Sequence, residues 1–220
     1  MTSIAFFDLD RTLLAINSGS RWLKAEYREG NVTPRQFVWA LGWLLRYHLG
    51  LAEMDGMLRQ AIAAYAGEPE TQLRDRTQRF FAREVAAHVR PGARRALAAH
   101  RKKGDPCVLL TTSSNYLSAA VTEAVGLDGY LSTRFATDDA GRLTGQPIEP
   151  LCYGTGKVIL ARRYADERGV DLRACAFYSD SVTDLPMLEA AGHPVAVNPD
   201  PRLRRIARRR GWPVEMWGEP

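Results

Sequence analysis

The sequence has few cysteines and histidines, and this limits the chemistry that it can support. Its 220 residues include three cysteines and four histidines. An odd number of cysteines without metal-type spacing argues against a disulfide framework and predicts reduced thiols in or near the core. No cysteine or histidine stands in a pattern typical of a catalytic nucleophile, so the reactive groups of an enzyme must be sought among other residue types.

A long hydrophobic run is also missing. The longest apolar segment covers residues 37–45, far fewer than the ~20 residues that a membrane-spanning helix needs. Residues 1–3 carry no positive charge and only residues 4–7 after them are apolar, so no signal peptide is expected. We therefore expect a cytoplasmic protein without a membrane span, long enough for one full core and a smaller second unit.

One segment near the C terminus accounts for the net positive charge. The formal net charge is +5, and it becomes −1 when the six arginines of residues 202–210 are left out. These arginines are Arg202, Arg204, Arg205, Arg208, Arg209 and Arg210. One interpretation is a patch that binds nucleic acid or an anionic membrane; the other is a solvated helix face with Leu203, Ile206 and Ala207 turned inward. Because no aromatic platform accompanies the arginines, the second is favoured and no nucleic-acid partner is expected.

The order of the secondary-structure signals indicates an α/β fold. Residues 4–8 form a short apolar strand, residues 17–89 show only helical patterns, and strands and helices alternate after residue 90. Such alternation predicts a mainly parallel sheet. The expected architecture is a Rossmann-like three-layer core, residues 1–16 and 90–220, with a small all-helical cap, residues 17–89, inserted after the first strand. Further strands are predicted at residues 107–110, 130–136, 143–145, 174–178 and 195–197, and core helices at residues 93–103, 116–125, 157–168, 184–191 and 202–210.

Acidic and hydroxyl side chains follow three of the predicted strands. Asp8 and Asp10 follow the first, Thr111 ends the second, and Asp180 and Asp184 follow a later one. In an open parallel sheet, ligands bind at the carboxyl ends of the strands, so these groups should meet. Two like charges held close together are costly unless a cation, a proton or a reaction requires them.

Lys157 adds one ammonium group to this set, because it follows Gly154-Thr155-Gly156 at the start of a predicted helix. A lysine in the first turn is disfavoured by the helix dipole, which points to a role other than helix stability. Carboxylates, hydroxyls and one ammonium indicate phosphoryl chemistry assisted by a hard divalent cation.

These segments resemble the four motifs of the haloacid-dehalogenase-like hydrolase superfamily. The matching elements are Asp-Leu-Asp-Arg-Thr at residues 8–12, then Thr111, Lys157 and the pair Asp180 and Asp184. The helical insertion is similar to the cap of the phosphoserine-phosphatase-like subclass IB. Residues 178–188 and 196–200 resemble a subgroup that includes histidinol-phosphate phosphatases.

The resemblance implies a Mg²⁺-dependent phosphomonoesterase with an aspartyl-phosphate intermediate. Asp8 is then the nucleophile, and Asp10 is the acid that protonates the leaving group and the base that activates water. Mg²⁺ is held by Asp8, by the Asp10 backbone carbonyl and by Asp180. Thr111 and Lys157 act on the phosphoryl group and its charge.

Supporting and substrate-binding residues follow from the same resemblance. Asp184 is expected to hold Lys157 or a metal-bound water, and Thr112 offers a backbone N–H to the phosphoryl group. Thr183 and Arg21 are candidate substrate contacts. Asn17 stands where phosphoserine phosphatases carry a glutamate for the substrate ammonium, so phosphoserine is a weaker expectation than histidinol phosphate or a similar amino-alcohol phosphate. A monomer or homodimer is expected, with a small phosphate ester as its partner.

Overall fold

The computed structural model describes residues 3–48 and 54–219, and a seven-stranded sheet forms the centre of this part of the chain. The strand order is β4-β3-β2-β1-β5-β6-β7, and every pair of neighbours is parallel except β3 and β4. This is the mainly parallel α/β sheet that the sequence predicts. The strands are β1 (Ala5–Phe7), β2 (Cys107–Ser114), β3 (Gly129–Thr137), β4 (Leu143–Ile148), β5 (Ala176–Ser179), β6 (His193–Val197) and β7 (Val214–Glu215).

Helices cover both faces of the sheet and make the core three layers thick. Phe7 packs into one apolar cluster and its neighbour Phe6 into the other, because alternate residues of a strand point to opposite faces. Leucines and alanines of α5 and α6 join the first cluster, and those of α7, α8 and α9 join the second. These core helices are α5 (Pro91–Lys103), α6 (Asn115–Val125), α7 (Thr155–Asp166), α8 (Leu185–Ala190) and α9 (Pro201–Arg210).

All the regular elements in the described part of the insertion after β1 are helices, and short turns connect them. It contains α1 (Ser18–Arg28), α2 (Pro34–His48), α3 (Met54–Ala63) and α4 (Glu70–Phe80), followed by two short helical turns up to residue 88. An isolated antiparallel bridge between Leu14 and Val89 brings its two ends together. We call this helical insertion the cap. In the described ranges, no helix of the molecule is long and apolar enough to cross a bilayer.

The cap is also attached to the β3–β4 hairpin, a contact that the sequence did not indicate. The Gly67 N–H donates to the Leu143 carbonyl at 2.7 Å, and the Leu143 N–H donates to the Glu68 carbonyl at 2.9 Å. The Arg142 guanidinium adds a 2.8 Å hydrogen bond to the Gly67 carbonyl. These bonds connect the loop before α4 to the hairpin. The cap is therefore attached to the core by this contact as well as by the two segments of chain that enter and leave it.

Several predicted boundaries are wrong by a few residues. β2 continues to Ser114 instead of ending at residue 110, because its threonines and serines keep pairing with β3. β5 begins at Ala176 instead of residue 174, because the Asp171 carboxylate accepts the Arg173 N–H at 2.8 Å and closes a helical turn there. β7 was missed, since a strand of two residues shows no periodicity.

Candidate active site

The carboxyl ends of β1, β2 and β5 lie at the same edge of the sheet. β1 pairs in parallel with β2 on one side and with β5 on the other. Asp8 follows β1, Thr111 lies in the polar half of β2, and Asp180 follows β5. The Asp8 N–H donates to the Tyr178 carbonyl at 2.9 Å and extends the β1–β5 pairing by one bond. The three predicted positions are therefore neighbours in the fold.

A wide helical turn, Leu9–Leu13, carries the chain from β1 towards the cap. Within it, Arg11 has a φ of 58°, a left-handed conformation that is uncommon for a residue other than glycine. The Arg11 N–H donates to the Ile16 carbonyl at 3.0 Å and holds this turn. Asp10 Oδ1 accepts the Ser18 N–H at 2.7 Å, so the second acidic side chain is fixed to the N-terminus of α1.

Lys157 is buried between two carboxylates. Its Nζ donates to Asp8 Oδ1 at 2.8 Å and to Asp184 Oδ2 at 2.8 Å, and its side chain is 2% exposed. The preceding residue explains how α7 comes close enough: a Cβ on Gly156 would lie 1.9 Å from the Leu151 carbonyl oxygen. Only glycine therefore allows α7 to begin here and to present Lys157 to Asp8.

The surroundings raise the pKa of three acids at this edge. Burial raises the pKa of Asp8 to about 7, even though Lys157 opposes the shift. Burial, with repulsion from Asp8 and Asp184, raises the pKa of Asp180 to about 8. Burial also raises the pKa of Asp10, against the hydrogen bond from Ser18. For Lys157, burial lowers the pKa, but Asp184 and Asp8 outweigh this effect and keep the ammonium charged.

The donor set at this edge fits a hard divalent cation. The carboxyls of Asp8 and Asp184 contact the buried ammonium of Lys157, and those of Asp10 and Asp180 lie close enough to interact with it electrostatically. Among the described residues, none donates a hydrogen bond to Oδ2 of Asp8 or to Oδ2 of Asp180. Mg²⁺ typically takes one or two carboxylates and completes its shell with phosphate and water.

The described side chains at this edge do not form a complete set of metal ligands by themselves. Residues 3–48 and 54–219 contain no group of three or more His, Cys, Asp or Glu side chains that could hold a metal ion. A cation at this edge would therefore be held by fewer than three of these side chains. This leaves positions for water and for oxygens of a substrate, as catalytic Mg²⁺ requires.

Two hydroxyl groups that the sequence analysis did not single out support these acids. The Asp180 N–H donates to Thr12 Oγ1 at 3.0 Å, and Thr12 Oγ1 lies 3.5 Å from Asp180 Oδ1. Ser179 Oγ donates to Asp184 Oδ2 at 2.7 Å, next to the Lys157 contact. Both hydroxyls belong to segments that carry the predicted acids, so the signal for them was the motif itself.

The hydroxyl residues of β2 complete this edge. Thr111 is buried, and its Oγ1 accepts the Ser113 N–H at 3.2 Å. Thr112 turns its hydroxyl away to the Cys152 carbonyl, at 3.0 Å. Ser113 Oγ lies 3.4 Å from Ser18 Oγ, which joins this strand end to the cap.

The candidate substrate residues make local contacts instead of joining the acidic cluster. Asn17 caps α1, and its Oδ1 accepts the Ser20 N–H at 2.8 Å. Arg21 points to the Glu84 carbonyl at 3.5 Å, within the cap. Thr183 Oγ1 lies 2.9 Å from Ser181 Oγ, in the turn after Asp180. The geometry thus brings together the predicted acids, Thr111 and Lys157, and leaves these three residues around them.

Comparison with known proteins identifies relatives over almost the whole chain. The model of the haloacid dehalogenase-like hydrolase family matches residues 5–189. A protein of Neisseria meningitidis named histidinol-phosphatase is 30% identical over 218 residues, which cover 97% of this chain and 98% of that protein. A Mycobacterium tuberculosis protein named phosphoserine phosphatase SerB1 is 31% identical over 97% of this chain and 70% of its own length.

A solved structure shares the arrangement of the whole chain. A crystal structure of a protein of unknown function from Bordetella pertussis superposes with a TM-score of 0.87 and 29% identity. The match covers 97% of this chain and 98% of that one, so the cap and the core together are common to both.

Proposed function

Because this chain belongs to the haloacid dehalogenase-like hydrolase family and is a phosphomonoesterase, we propose that it hydrolyses a small phosphate ester with Mg²⁺ through a phosphoryl group carried on Asp8. One observation carries the proposal. Lys157 holds Oδ1 of Asp8 at 2.8 Å, and no described residue donates a hydrogen bond to Oδ2. A carboxylate oriented through one oxygen has its other oxygen available for attack on phosphorus.

The reaction has two steps that share one acid. Asp8 Oδ2 forms a bond to phosphorus while the bond from phosphorus to the ester oxygen breaks, and Asp10 gives its proton to that oxygen. Water then attacks phosphorus, Asp10 takes back a proton, and the bond from Asp8 to phosphorus breaks to release phosphate. The raised pKa of Asp10 supports this role, since a general acid must hold its proton near neutral pH.

The remaining groups stabilise the negative charge at the site and position the phosphoryl group. When bound, Mg²⁺ offsets the repulsion between the Asp8 carboxylate and the dianionic ester. It would be held by Asp8, the Asp10 carbonyl and Asp180. Thr111 is placed to hydrogen-bond a phosphoryl oxygen, and Lys157 stabilises the charge that Asp8 shares with the phosphoryl group. Positioning and charge stabilisation dominate phosphoryl transfer.

We infer a small amino-alcohol phosphate as the substrate, with histidinol phosphate ahead of phosphoserine. The Neisseria relative named histidinol-phosphatase supports the first, since it matches over nearly its full length. Asn17 counts against the second, because its side chain is neutral and its Oδ1 caps α1. The first helix of the cap begins at the strand ends, where Ser18 contacts Asp10 and Ser113, and a cap at this place favours small esters over folded proteins.

The reaction is tested by phosphate release from p-nitrophenyl phosphate with Mg²⁺. We expect turnover that EDTA abolishes and Mg²⁺ restores, and that Asp8→Asn lowers by about 10³-fold or more. Asp166→Asn, an exposed aspartate at the end of α7, is the matched control and should keep native turnover. Rapid quenching with labelled ester should trap one phosphoryl group per native chain and none on Asp8→Asn.

The substrate is tested separately, by kcat/KM on a panel that includes histidinol phosphate and phosphoserine. A higher value for histidinol phosphate supports the assignment, and a higher value for phosphoserine reverses it. A folded, Mg²⁺-loaded preparation that hydrolyses no ester of the panel, p-nitrophenyl phosphate included, contradicts the proposed reaction itself.

A further inference from the structure

A concave site lies on the surface beside α9, apart from the acidic cluster. This site is open to solvent and has a volume of about 480 Å³. Its lining residues are Pro199, Pro201, Arg204, Arg205, Arg208 and Arg209. None of these residues belongs to the candidate active site. We call this site the arginine groove.

The helical period places the four arginines on one side of α9. Arg204 and Arg208 form one i,i+4 row, and Arg205 and Arg209 form the adjacent row; all four side chains are exposed. The opposite side holds the helix on the sheet, because Leu203 and Ala207 are completely buried. The packing of α9 therefore fixes the direction in which its arginines project.

The positive charge of the groove is not neutralised within the described part of the chain. Arg210, at the end of α9, pairs with Glu189 at 2.5 Å, but none of the four groove arginines is within 4.0 Å of a described carboxylate. Asp200 lies next to them in sequence, yet its Oδ1 accepts the N–H groups of Arg202 and Leu203 and its Oδ2 accepts that of Val182, each at 2.7–2.8 Å. Four cations thus share one concave surface without an ion pair to any described carboxylate, an arrangement that an anion stabilises.

We propose that the arginine groove binds a compact polyanion, a chain of two or three phosphoryl groups that is either inorganic or attached to a nucleoside. Guanidinium groups donate pairs of hydrogen bonds to phosphate oxygens, and a phosphoryl chain carries several negative charges that can meet several arginines at once. Residues 204–209 span only about 7.5 Å of helix at a rise of 1.5 Å per residue. This length matches a short phosphoryl chain.

The shape and lining of the groove argue against the two macromolecular alternatives. A concave site is a poor fit to the flat surface of an anionic bilayer. Its lining contains arginine and proline but no aromatic side chain on which a nucleic-acid base could stack. A compact polyanion therefore fits the groove better than nucleic acid or an anionic membrane, the two partners that the sequence suggested for this segment.

Isothermal titration calorimetry in EDTA and low salt tests the proposal with inorganic tripolyphosphate and adenosine triphosphate as probes. The test variant carries Arg204→Gln, Arg205→Gln, Arg208→Gln and Arg209→Gln. The control carries the same charge change at exposed arginines of α5 and α7: Arg94→Gln, Arg95→Gln, Arg162→Gln and Arg163→Gln. We expect the native chain to bind tripolyphosphate at least about tenfold more tightly than orthophosphate, and the Kd to rise at least about tenfold in the test variant and less than about twofold in the control.

The two probes distinguish the sources of the ligand. Equal affinity for both means that the groove recognises the phosphoryl chain alone, and tighter binding of adenosine triphosphate means that a nucleoside contributes; both results support the proposal. No binding by the native chain, or binding that survives in the test variant, overturns it. A further outcome is that the chain binds a 20-nucleotide oligomer or anionic vesicles more tightly than tripolyphosphate and loses this binding in the test variant but not in the control. That result overturns the proposal in favour of a macromolecular partner. Unfolding curves of both variants establish that they are folded before titration.

Discussion

Lys157 shows how one buried charge can organise a site. Its ammonium is almost fully removed from water, and this is tolerated because Asp8 and Asp184 each accept a hydrogen bond at 2.8 Å. The same contacts leave Asp8 with one restrained oxygen and one available oxygen. The buried ion-pair network and the orientation of the proposed nucleophile are therefore the same structural feature.

Replacing this residue should cost both stability and turnover. Lys157→Met leaves Asp8 and Asp184 buried without their cation, so we expect the free energy of unfolding in EDTA to fall by about 3–5 kcal/mol and phosphate release to be lost. Adding Asp184→Asn removes one of the repelling charges and should restore part of the stability but none of the turnover. Urea unfolding measures the stability and phosphate release measures the turnover. Lys103→Met, at an exposed lysine at the end of α5, is the control. Native turnover by Lys157→Met would contradict the role given to this ammonium.

At the scale of single residues, the acidic positions and the partnership of Lys157 with Asp184 could be predicted from the sequence, but the hydroxyl partners of these acids could not. Asp8, Asp180 and Lys157 were recognisable because each stands at the end of a strand or the start of a helix. The contact of Ser179 with Asp184 depends on rotamers that no spacing encodes. The same holds for His100, a buried histidine that lies 2.9 Å from both Asp105 and Tyr178 and is satisfied within the core.

At the scale of elements, the start of α7 is a tightly constrained junction of the core. Gly156 packs directly against the Leu151 carbonyl, and the next residue carries the buried ammonium. Local packing and the position of a charged group are therefore set by the same backbone contact.

Gly156→Ala should disturb this junction. The added Cβ would lie 1.9 Å from a carbonyl oxygen, so α7 must shift and move Lys157 with it. We expect a loss of about 1–3 kcal/mol in the free energy of unfolding, together with reduced kcat. Gly42→Ala is the matched control, since a Cβ there meets nothing within 4 Å and should add about 0.5–1 kcal/mol to helix stability. Equal stability of the two variants would show that α7 can move freely.

The elements themselves were predictable to different degrees. Every core helix was located, because glycines and apolar periodicity mark their ends. The strand order and the attachment of the cap to the hairpin were not, since both depend on contacts between residues far apart in sequence. The bond from Gly67 to Leu143 is an example: neither residue carries a local signal that points to the other.

At the scale of the whole molecule, we expect the acidic cluster to make the free energy of unfolding depend on pH and on added Mg²⁺. Burial raises the pKa of Asp8 to about 7 and that of Asp180 to about 8, so below these pH values the folded chain without metal keeps protons that the unfolded chain loses near the ordinary aspartate pKa of 3.8. Raised pKa values mean that the folded state binds more protons than the unfolded state. Stability therefore falls as pH rises from ~4 through ~8, and it levels off about one pH unit above the pKa of Asp180, at pH ~9.

Melting temperatures in EDTA should accordingly decrease from pH ~5.5 to pH ~8. Since Mg²⁺ binds the ionised carboxylates, its stabilising effect should grow over the same interval. The double variant Asp8→Asn with Asp180→Asn lacks both titrating groups, so its decrease should be shallower and its response to Mg²⁺ weak. This comparison separates the cluster from every other titrating group of the chain, because those groups are the same in both proteins. A melting temperature that rises with pH in EDTA in the native chain, but not in the double variant, would mean that the two acids are ionised in the folded protein without metal.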